Sequence, residues 1–284
     1  MNDTSMFKRI SIGVIVVWLV LFVLIPNLLV IIASFLTHSE SQLIVPQFSL
    51  ESYLKLFDPV FFKVFLRSFY IAAMTTLITL ILAYPFAALI AKARPTVRKY
   101  LLLLVIIPFW TSSLIRTYAL IIIMKTNGLL NKALLALGII DHPLRLLYTD
   151  TAVFVGLVYA LLPFMILPLY ATIEKFDPRL IEAAKDLGAN SVTAFFRVVL
   201  PITMPGIIAG CMLVFLPAMG LFYIPDLLGG AKSMLLGNMI KDQFLVARDW
   251  PFGSAASVIL TLLMGIMLLL YTRSMKKFNR SLME

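Results

Sequence analysis

Six long apolar runs, separated by polar segments, dominate the pattern of the chain. The runs free of charged residues cover 10–37, 68–91, 100–115, 151–173, 198–225 and 250–272. About 20 helical residues, each rising about 1.5 Å, cross a hydrocarbon core of about 30 Å. Five runs reach that length. The third has 16 residues and suffices only if Arg116 extends to a lipid–water interface.

The pattern therefore predicts an all-α integral membrane protein with one transmembrane domain over residues 1–284. We expect helical spans at about 10–36, 68–91, 100–116, 151–173, 202–224 and 251–272.

Prolines and small polar residues interrupt three of these runs. The third carries a proline at 108 and a polar patch at 111–113. The fourth has prolines at 163 and 168, and the fifth at 205 and 217. Proline removes a helical hydrogen bond and favours a kink. In lipid, such breaks persist where neighbouring helices or a cavity satisfy the freed carbonyl groups. The third, fourth and fifth spans are thus expected to line a pathway, with the first span at the periphery.

Composition excludes an ordinary soluble protein. The 284 residues are 61% hydrophobic and 13% charged, whereas about 25% charge is typical of soluble domains. The first run follows Lys8 and Arg9, but it is too long for a signal-peptide core and no small-residue cleavage site closes it. We expect it to remain as a membrane anchor. His38 and His142 have no acid or thiol at ligand spacing, so no metal site is predicted.

Lysine and arginine residues predict the orientation of the spans. With the N-terminus inside, fourteen of the 24 basic residues fall in cytoplasmic segments, mostly next to span ends. The net charge of +10 then divides into 14 − 6 = +8 inside and 10 − 8 = +2 outside. Both termini are predicted to be cytoplasmic. Topology and contact with anionic membrane lipids explain the basic charge, and no nucleic-acid partner is expected.

The most specific pattern lies at 177–201, between the fourth and fifth runs. Asp177 and Pro178 are typical of a helix start, with an acidic cap before a proline at the first helical position. Gly188 is placed to end that helix in a left-handed conformation. Helical spacing gives this first helix one apolar face. The residues of that face are Leu180, Ala183, Ala184 and Leu187.

A second short helix is expected after the glycine. Ser191 is predicted to cap it, and Pro201 to end it. Glu182, Lys185 and Asp186 offer charges to a partner surface. Helix propensity alone also allows a loop helix that packs on its own bundle, whereas the complete spacing favours docking to another protein.

The family can be recognised at this segment. Residues 182–201 fit the signature E-A-A-x3-G-x9-[IV]-x-L-P, with Glu182, Ala183, Ala184, Gly188 and Pro201 in the specified positions. Chance satisfies the seven specified positions on the order of once in 10^8 starting points. The chain resembles the permease subunits of type I ABC importers, which have the MetI-like transmembrane fold. The stretches 108–116, 162–170, 204–210 and 248–253 resemble the spermidine/putrescine permeases of that family.

The resemblance implies a set of partners in the bacterial inner membrane. They are a second, related permease that completes a heterodimer, two copies of a cytoplasmic ABC ATPase that uses ATP and magnesium, and a periplasmic polyamine-binding protein. The signature residues then match the coupling-helix positions, through which closure of the ATPase dimer flips the pathway. The chain lacks the phosphate loop G-x-x-x-x-G-K-[ST]. It is therefore expected to be a transport subunit with no catalytic residue, cofactor or ATPase of its own.

Polyamines indicate which side chains a pathway needs. Aromatic faces suit their methylene groups and attract ammonium groups, and carboxylates supply counter-charge. Aromatic interface anchors and a solvated helix cap at Asp226 remain open as alternatives. The pathway candidates are Tyr53, Trp110, Tyr118, Tyr223, Asp226, Asp249 and Trp250.

Other functions remain open at this point. A permease for sulfate, iron or thiamine fits the same signature, because the signature reports the ATPase and not the solute. A proton-coupled secondary carrier needs acids within the membrane, and a membrane enzyme needs a catalytic set. The first, second, fourth and sixth runs contain no Asp, Glu or His, so both are disfavoured.

Overall fold

The computed structural model describes residues 3–39, 44–230 and 233–281. The first part of the chain forms four helices and one small antiparallel ladder, in which Leu36 lies opposite Phe48 and Thr37 opposite Val45. These elements are α1 (Asp3–Leu19), a π-helical turn (Val20–Leu24), α2 (Ile25–Ala33), β1 (Leu36–Thr37), β2 (Val45–Phe48), α3 (Glu51–Lys55) and α4 (Pro59–Lys92).

The rest of the described chain is helical with short connections. In order, its elements are α5 (Pro95–Ile106), a 3-10 turn (Ile107–Trp110), α6 (Ser113–Met124), α7 (Leu129–Ala136), α8 (Asp150–Ile173), α9 (Arg179–Asp186), α10 (Ser191–Ala194), a π-helical turn (Phe195–Val199), α11 (Leu200–Gly220), a π-helical turn (Pro225–Gly229), α12 (Leu236–Asp242), a π-helical turn (Gln243–Ala247) and α13 (Trp250–Ser281).

Six helical stretches within the described residues are long and apolar enough to cross a membrane. The predicted all-α membrane class is therefore confirmed. The stretches are Ser11–Ala33, Pro59–Lys92, Ser113–Ala136, Asp150–Ile173, Ser191–Gly220 and Trp250–Arg273.

The third predicted span, 100–116, is not one helix. Helix α5 ends before Pro108, and the chain is extended at Thr111 (φ −101°, ψ 146°) before α6 starts at Ser113. Proline lacks the N–H that would continue the helix. The hydroxyl of Thr111 donates to the Pro108 carbonyl over 3.0 Å, which stabilises the turn instead. The stretch long enough to span begins at Ser113, where the sequence had predicted a span to end.

Internal contacts divide the chain into two units, 1–63 with 239–266, and 64–238 with 267–284. In the second unit, α8 packs closely against α11 because glycine lies at the contact. A Cβ atom on Gly206 would collide with the Thr172 side chain, and one on Gly210 with Met165. Small residues let membrane helices approach at backbone distance. Both helices also continue through their internal prolines.

The first unit contains α1, α2 and the ladder. Phe35 packs between Phe48 and Tyr53, with ring centroids 5.7 Å and 5.1 Å away. Phe61 and Phe252 pack 4.7 Å apart. Side chains of the apolar stretch Ser11–Ala33 remain almost wholly exposed, as expected of a helix that contacts lipid or another chain.

Candidate functional site

The segment 177–201 folds as a helical hairpin between α8 and α11, called the coupling hairpin below. A carboxylate oxygen of Asp177 accepts a hydrogen bond from the backbone N–H of Arg179 over 2.9 Å. This bond satisfies one donor at the start of α9, as predicted for a cap. Pro178 has helical dihedral angles (φ −60°, ψ −24°).

A left-handed glycine closes the first arm of the hairpin. Gly188 has φ +87°. Its N–H donates to the Lys185 carbonyl over 2.8 Å, and the N–H of Ala189 donates to the Ala184 carbonyl over 3.0 Å. These two bonds form a Schellman motif, which commonly ends a helix at glycine. The predicted terminator is confirmed.

The second arm starts one residue earlier than predicted. The side-chain oxygen of Asn190, not that of Ser191, accepts the capping hydrogen bond, from the N–H of Thr193 over 2.7 Å. Ser191 is the first residue of α10. Both residue types cap well, so sequence alone does not separate these adjacent positions.

Pro201 does not end the second arm. The helical path continues from Ser191 to Gly220, with a π-helical turn over Phe195–Val199 immediately before the proline. A proline ring clashes with the carbonyl four residues earlier in a regular helix. The wider π turn changes the spacing there, and the helix passes through. The first arm of the coupling hairpin is thus a helix of eight residues, and its second arm is the first part of a membrane helix.

The first arm is exposed along its length. All eight residues of α9, each of them described, remain at least partly accessible. Leu187, at the turn between the two arms, is 90% exposed, and Phe196 on the second arm is 60% exposed. Exposed leucine and phenylalanine side chains on a polar hairpin favour a surface that another protein covers.

An ion pair fixes the point where α8 leads into the coupling hairpin. Arg98 Nη1 lies 2.6 Å from Glu174 Oε1. Arg98 Nη2 also donates to the carbonyl groups of Ala91 and Ala93, over 2.9 and 3.4 Å. One guanidinium therefore joins the end of α4, the start of α5 and the end of α8.

A second anchor holds the other arm. The hydroxyl groups of Tyr84 on α4 and Thr203 on α11 lie 3.1 Å apart. The Tyr84 ring packs edge-on against Phe195 at 5.6 Å, and Thr203 is fully buried. Both ends of the coupling hairpin are therefore fixed to α4, while α9 projects between them.

Two pathway candidates lie at the broken third span. Trp110 ends the 3-10 turn and is 75% exposed. Tyr118, in the second turn of the following helix, is also exposed. Their accessible rings suit either a solute pathway or contact with lipid.

Two further candidates lie in the segment after α11. Tyr223 packs against the core that contains Leu157 and Leu228, so part of its ring serves packing. The carboxylate of Asp226 accepts a hydrogen bond from the side-chain amide of Asn238. Asn238 also donates to the carbonyl of Phe222 over 2.8 Å, and this clamp shapes the segment.

The same segment is tied to the start of α8. Asp150 Oδ1 lies 2.7 Å from Arg67 Nη2 and accepts from the Ser233 hydroxyl over 3.0 Å. The N–H of Tyr148 donates to the Leu228 carbonyl over 2.8 Å. These bonds hold the loop that carries Tyr223 and Asp226.

The remaining candidates lie in the first unit and have local partners. The hydroxyl of Tyr53 is 2.7 Å from the Ser34 hydroxyl. Asp249 caps α13, accepting from the N–H of Phe252 over 3.0 Å. The Trp250 ring lies edge-on to Phe244 at 5.9 Å. These contacts give each residue a packing or capping role beside any role toward a solute.

Sequence reasoning missed the setting of Arg116. Its guanidinium carbon lies 5.7 Å from the centroid of the Tyr159 ring. Tyr159 is an interior residue of α8, a setting that the length of the apolar run alone did not indicate. That run continues past the helix break at 107–112 and ends within α6.

Comparison with known proteins places most of the chain in one family. Residues 83–284 match the family described as the inner membrane component of binding-protein-dependent transport systems. A relative from Salmonella typhimurium strain SL1344 is 53% identical over 284 residues, covering 100% of this chain and 99% of its own length. One from Escherichia coli K12 is 55% identical over 266 residues, covering 94% and 97%. Both relatives are named spermidine/putrescine transport system permease protein PotB.

Solved structures with the same fold include two of bacterial alginate ABC transporters. A chain of the transporter in complex with an alginate-bound periplasmic protein aligns with a TM-score of 0.74, covering 95% of this chain and 93% of that one. A chain of a transporter that imports alginate aligns with a TM-score of 0.76 and coverage of 97% and 96%. Both are 16% identical to this chain, so the likeness concerns the fold alone.

Proposed function

The chain belongs to the family of inner membrane components of binding-protein-dependent transport systems, and we propose that it is the permease subunit of an ATP-driven importer of spermidine and putrescine. The family inferred from the coupling signature is confirmed by the match over residues 83–284. The observation that carries the polyamine assignment is identity of 53–55% along nearly the whole chain to permeases named for these solutes.

The coupling hairpin gives this function a mechanical basis. Its exposed first arm is the surface that a cytoplasmic ATPase grips, and its two ends are anchored to α4. When ATP and magnesium close the ATPase dimer, displacement of α9 passes through Glu174 to Arg98, and through the second arm to Thr203 and Tyr84. Both routes end on α4, so motion at the hairpin turns that membrane helix relative to α8 and α11.

The proposed assembly follows from the hairpin and from the charge pattern. The hairpin and both termini face the cytoplasm, where fourteen basic residues lie. A second, related permease completes a heterodimer, two ATPase subunits bind the two coupling hairpins, and a periplasmic polyamine-binding protein delivers the solute. Membrane lipids cover the apolar faces that remain, such as the stretch Ser11–Ala33.

Aromatic and acidic residues supply the proposed solute contacts. Trp110 and Tyr118 present rings to the methylene and ammonium groups of a polyamine. Tyr223, Asp226, Asp249 and Trp250, with Tyr53, would contribute at the wider parts of the pathway. The hydrogen bonds of Tyr53 and Asp249 to their own unit make them the weaker members of this set.

Uptake by proteoliposomes tests the assignment. The chain, its second permease and the ATPase are reconstituted with the binding protein, and radiolabelled spermidine is measured inside the vesicles. We expect ATP-dependent accumulation that unlabelled putrescine inhibits and that sulfate, ferric iron and thiamine do not. Accumulation of one of those solutes in place of spermidine would instead support a permease of another specificity.

A further inference from the structure

Arg116 is a charged residue whose hydrogen-bonding groups are incompletely used. Its Nε and Nη1 atoms are shielded from solvent and find no hydrogen-bond partner among the described residues. The guanidinium rests over the Tyr159 ring at 5.7 Å. A ring face attracts the cation but does not replace a hydrogen-bond acceptor for these two N–H groups.

The charge lies beside the middle of α8, on a face that this chain leaves partly open, since Tyr159 is 42% exposed. Tyr159 is the tenth of the 24 residues of α8, so it lies about 14 Å along the helix from its nearer end. No single side chain spans that distance to an interface. An ionisable group at such depth is strongly destabilising unless it is paired or faces a polar cavity.

Among the described residues, no acceptor lies within hydrogen-bonding distance of Arg116 Nε and Nη1. The sequence contains no Asp or Glu between Asp58 and Asp141, and none in the interior of α8 or α11. Carboxylates at the helix ends are engaged elsewhere, Asp150 with Arg67 and Glu174 with Arg98. The groove of about 420 Å³ that Tyr159 lines is walled by apolar residues, including Pro108 and Pro163.

The proposed solute does not offer one either. A protonated polyamine carries hydrogen-bond donors and positive charge, so it repels a guanidinium. A lipid phosphate lies at the headgroup level and does not reach the depth of Tyr159. The partly open face at Tyr159 favours an acceptor on a neighbouring protein chain.

We propose that Arg116 pairs with a carboxylate of the second permease near the middle of the membrane, and that this ion pair holds the pathway closed. The pairing rests on the second permease of the proposed assembly, and the competition by polyamine rests in addition on the proposed solute. An ammonium group of the solute competes with Arg116 for the same carboxylate. The Tyr159 ring, 5.7 Å from the guanidinium carbon, is placed to stabilise the cation when the solute takes the carboxylate.

Charge reversal tests the pairing. We expect Arg116→Glu in the reconstituted transporter to reduce spermidine uptake by at least about tenfold, because two carboxylates then face each other. Acidic residues in the membrane helices of the second permease are replaced by arginine one at a time in this background. One of them should restore at least half of the uptake. Arg145→Glu, at an exposed position, is the matched control and should stay within about twofold of the wild type.

A second readout needs no solute. Arg116→Gln removes the charge. ATP hydrolysis without binding protein should then rise about threefold, because the ion pair that stabilises the closed state is lost. In a Cys211→Ala background, cysteines at 116 and at the rescuing position should form a disulfide between the two permeases. The proposal is overturned if the Glu variant assembles and no reversal rescues it, or if Arg116→Gln leaves basal hydrolysis unchanged. Failure of the wild type to accumulate spermidine would refute the proposed function but leave the hydrolysis and disulfide results to decide the pairing.

Discussion

The shape of the coupling hairpin depends on a few individual backbone positions. Gly188 adopts φ +87°, and a Cβ atom built on it meets nothing within 4 Å. A substitution there is therefore opposed by backbone conformation alone. Asp177 and Asn190 cap the two arms on either side through hydrogen bonds of 2.9 and 2.7 Å. Local chemistry of this kind can be read from sequence, and the helix start and the glycine terminator were predicted correctly.

Replacing Gly188 tests whether ATPase binding depends on the left-handed turn between the two arms. Gly188→Val should destabilise the left-handed turn by about 1–2 kcal/mol, and reduce the amount of ATPase that co-purifies with the permease. Asparagine tolerates the left-handed region better, so Gly188→Asn should retain most of the association. Equal association of both variants with the ATPase would show that ATPase binding does not depend on the left-handed conformation at position 188.

The ion pair of Arg98 and Glu174 is the second feature at this scale. The residues are 76 positions apart in sequence, so no local pattern reveals the pair, and in the sequence Arg98 counts only as one of the fourteen basic residues of the predicted cytoplasmic segments. Glu174→Gln should weaken the link by up to about 1 kcal/mol, which is up to about a fivefold change in the equilibrium between linked and unlinked helices, and should lower the number of polyamines transported per ATP hydrolysed. ATPase association should be unchanged. Arg98→Glu with Glu174→Arg should recover part of the ratio. Unaltered coupling in the Glu174→Gln variant would remove the ion pair from the mechanism.

At the scale of elements, the hydrophobic pattern predicted the number of spans, and the proline at 108 indicated a kink in the third, but not its division into two separate helices. A run of apolar residues records burial in lipid, and it does not record where the backbone changes direction. Pro108 and the hydroxyl of Thr111 divide the run into two helices. Pro201 shows the opposite error, because a π-helical turn lets α11 continue through a residue that normally ends a helix.

Helix α9 is the element expected to contact the ATPase. Leu187 follows α9 directly and is the most exposed apolar side chain of the coupling hairpin. Leu187→Asp places a charge there and should abolish co-purification of the ATPase, since an unpaired charge is costly in an interface. The two permeases should still co-purify. Leu54→Asp, at a similarly exposed leucine of α3, is the matched control and should leave ATPase association intact. Retention of the ATPase by the Leu187 variant would contradict the assignment of this surface.

The contact of α8 with α11 holds together the two membrane helices that lead into and out of the coupling hairpin. Gly206→Leu should separate the helices, because even a Cβ atom there collides with Thr172. Overpacking of this kind typically costs about 1–3 kcal/mol, and thermal unfolding in detergent should shift to lower temperature. Gly265→Leu is the control, since its Cβ atom meets nothing within 4 Å. An unchanged midpoint for the Gly206 variant would mean that the helices do not need this close approach.

At the scale of the whole molecule, some sites can be predicted from the sequence and others cannot. The coupling hairpin is contiguous, so its residues and its partner class follow from local spacing. The depth of Arg116 depends on α6 meeting α8, and the anchors on α4 depend on contacts between distant segments. The seven pathway candidates stay predictions, because packing and capping bonds account for several of them without any solute.

Replacing residues 179–187 with a flexible linker of glycine and serine, in the complete transporter, tests the central claim most directly. ATP-dependent spermidine accumulation is then measured in proteoliposomes, alongside co-purification of the second permease and the ATPase. We predict that the second permease remains bound while ATPase association and accumulation are both lost. Sustained accumulation with the ATPase still attached would contradict the account.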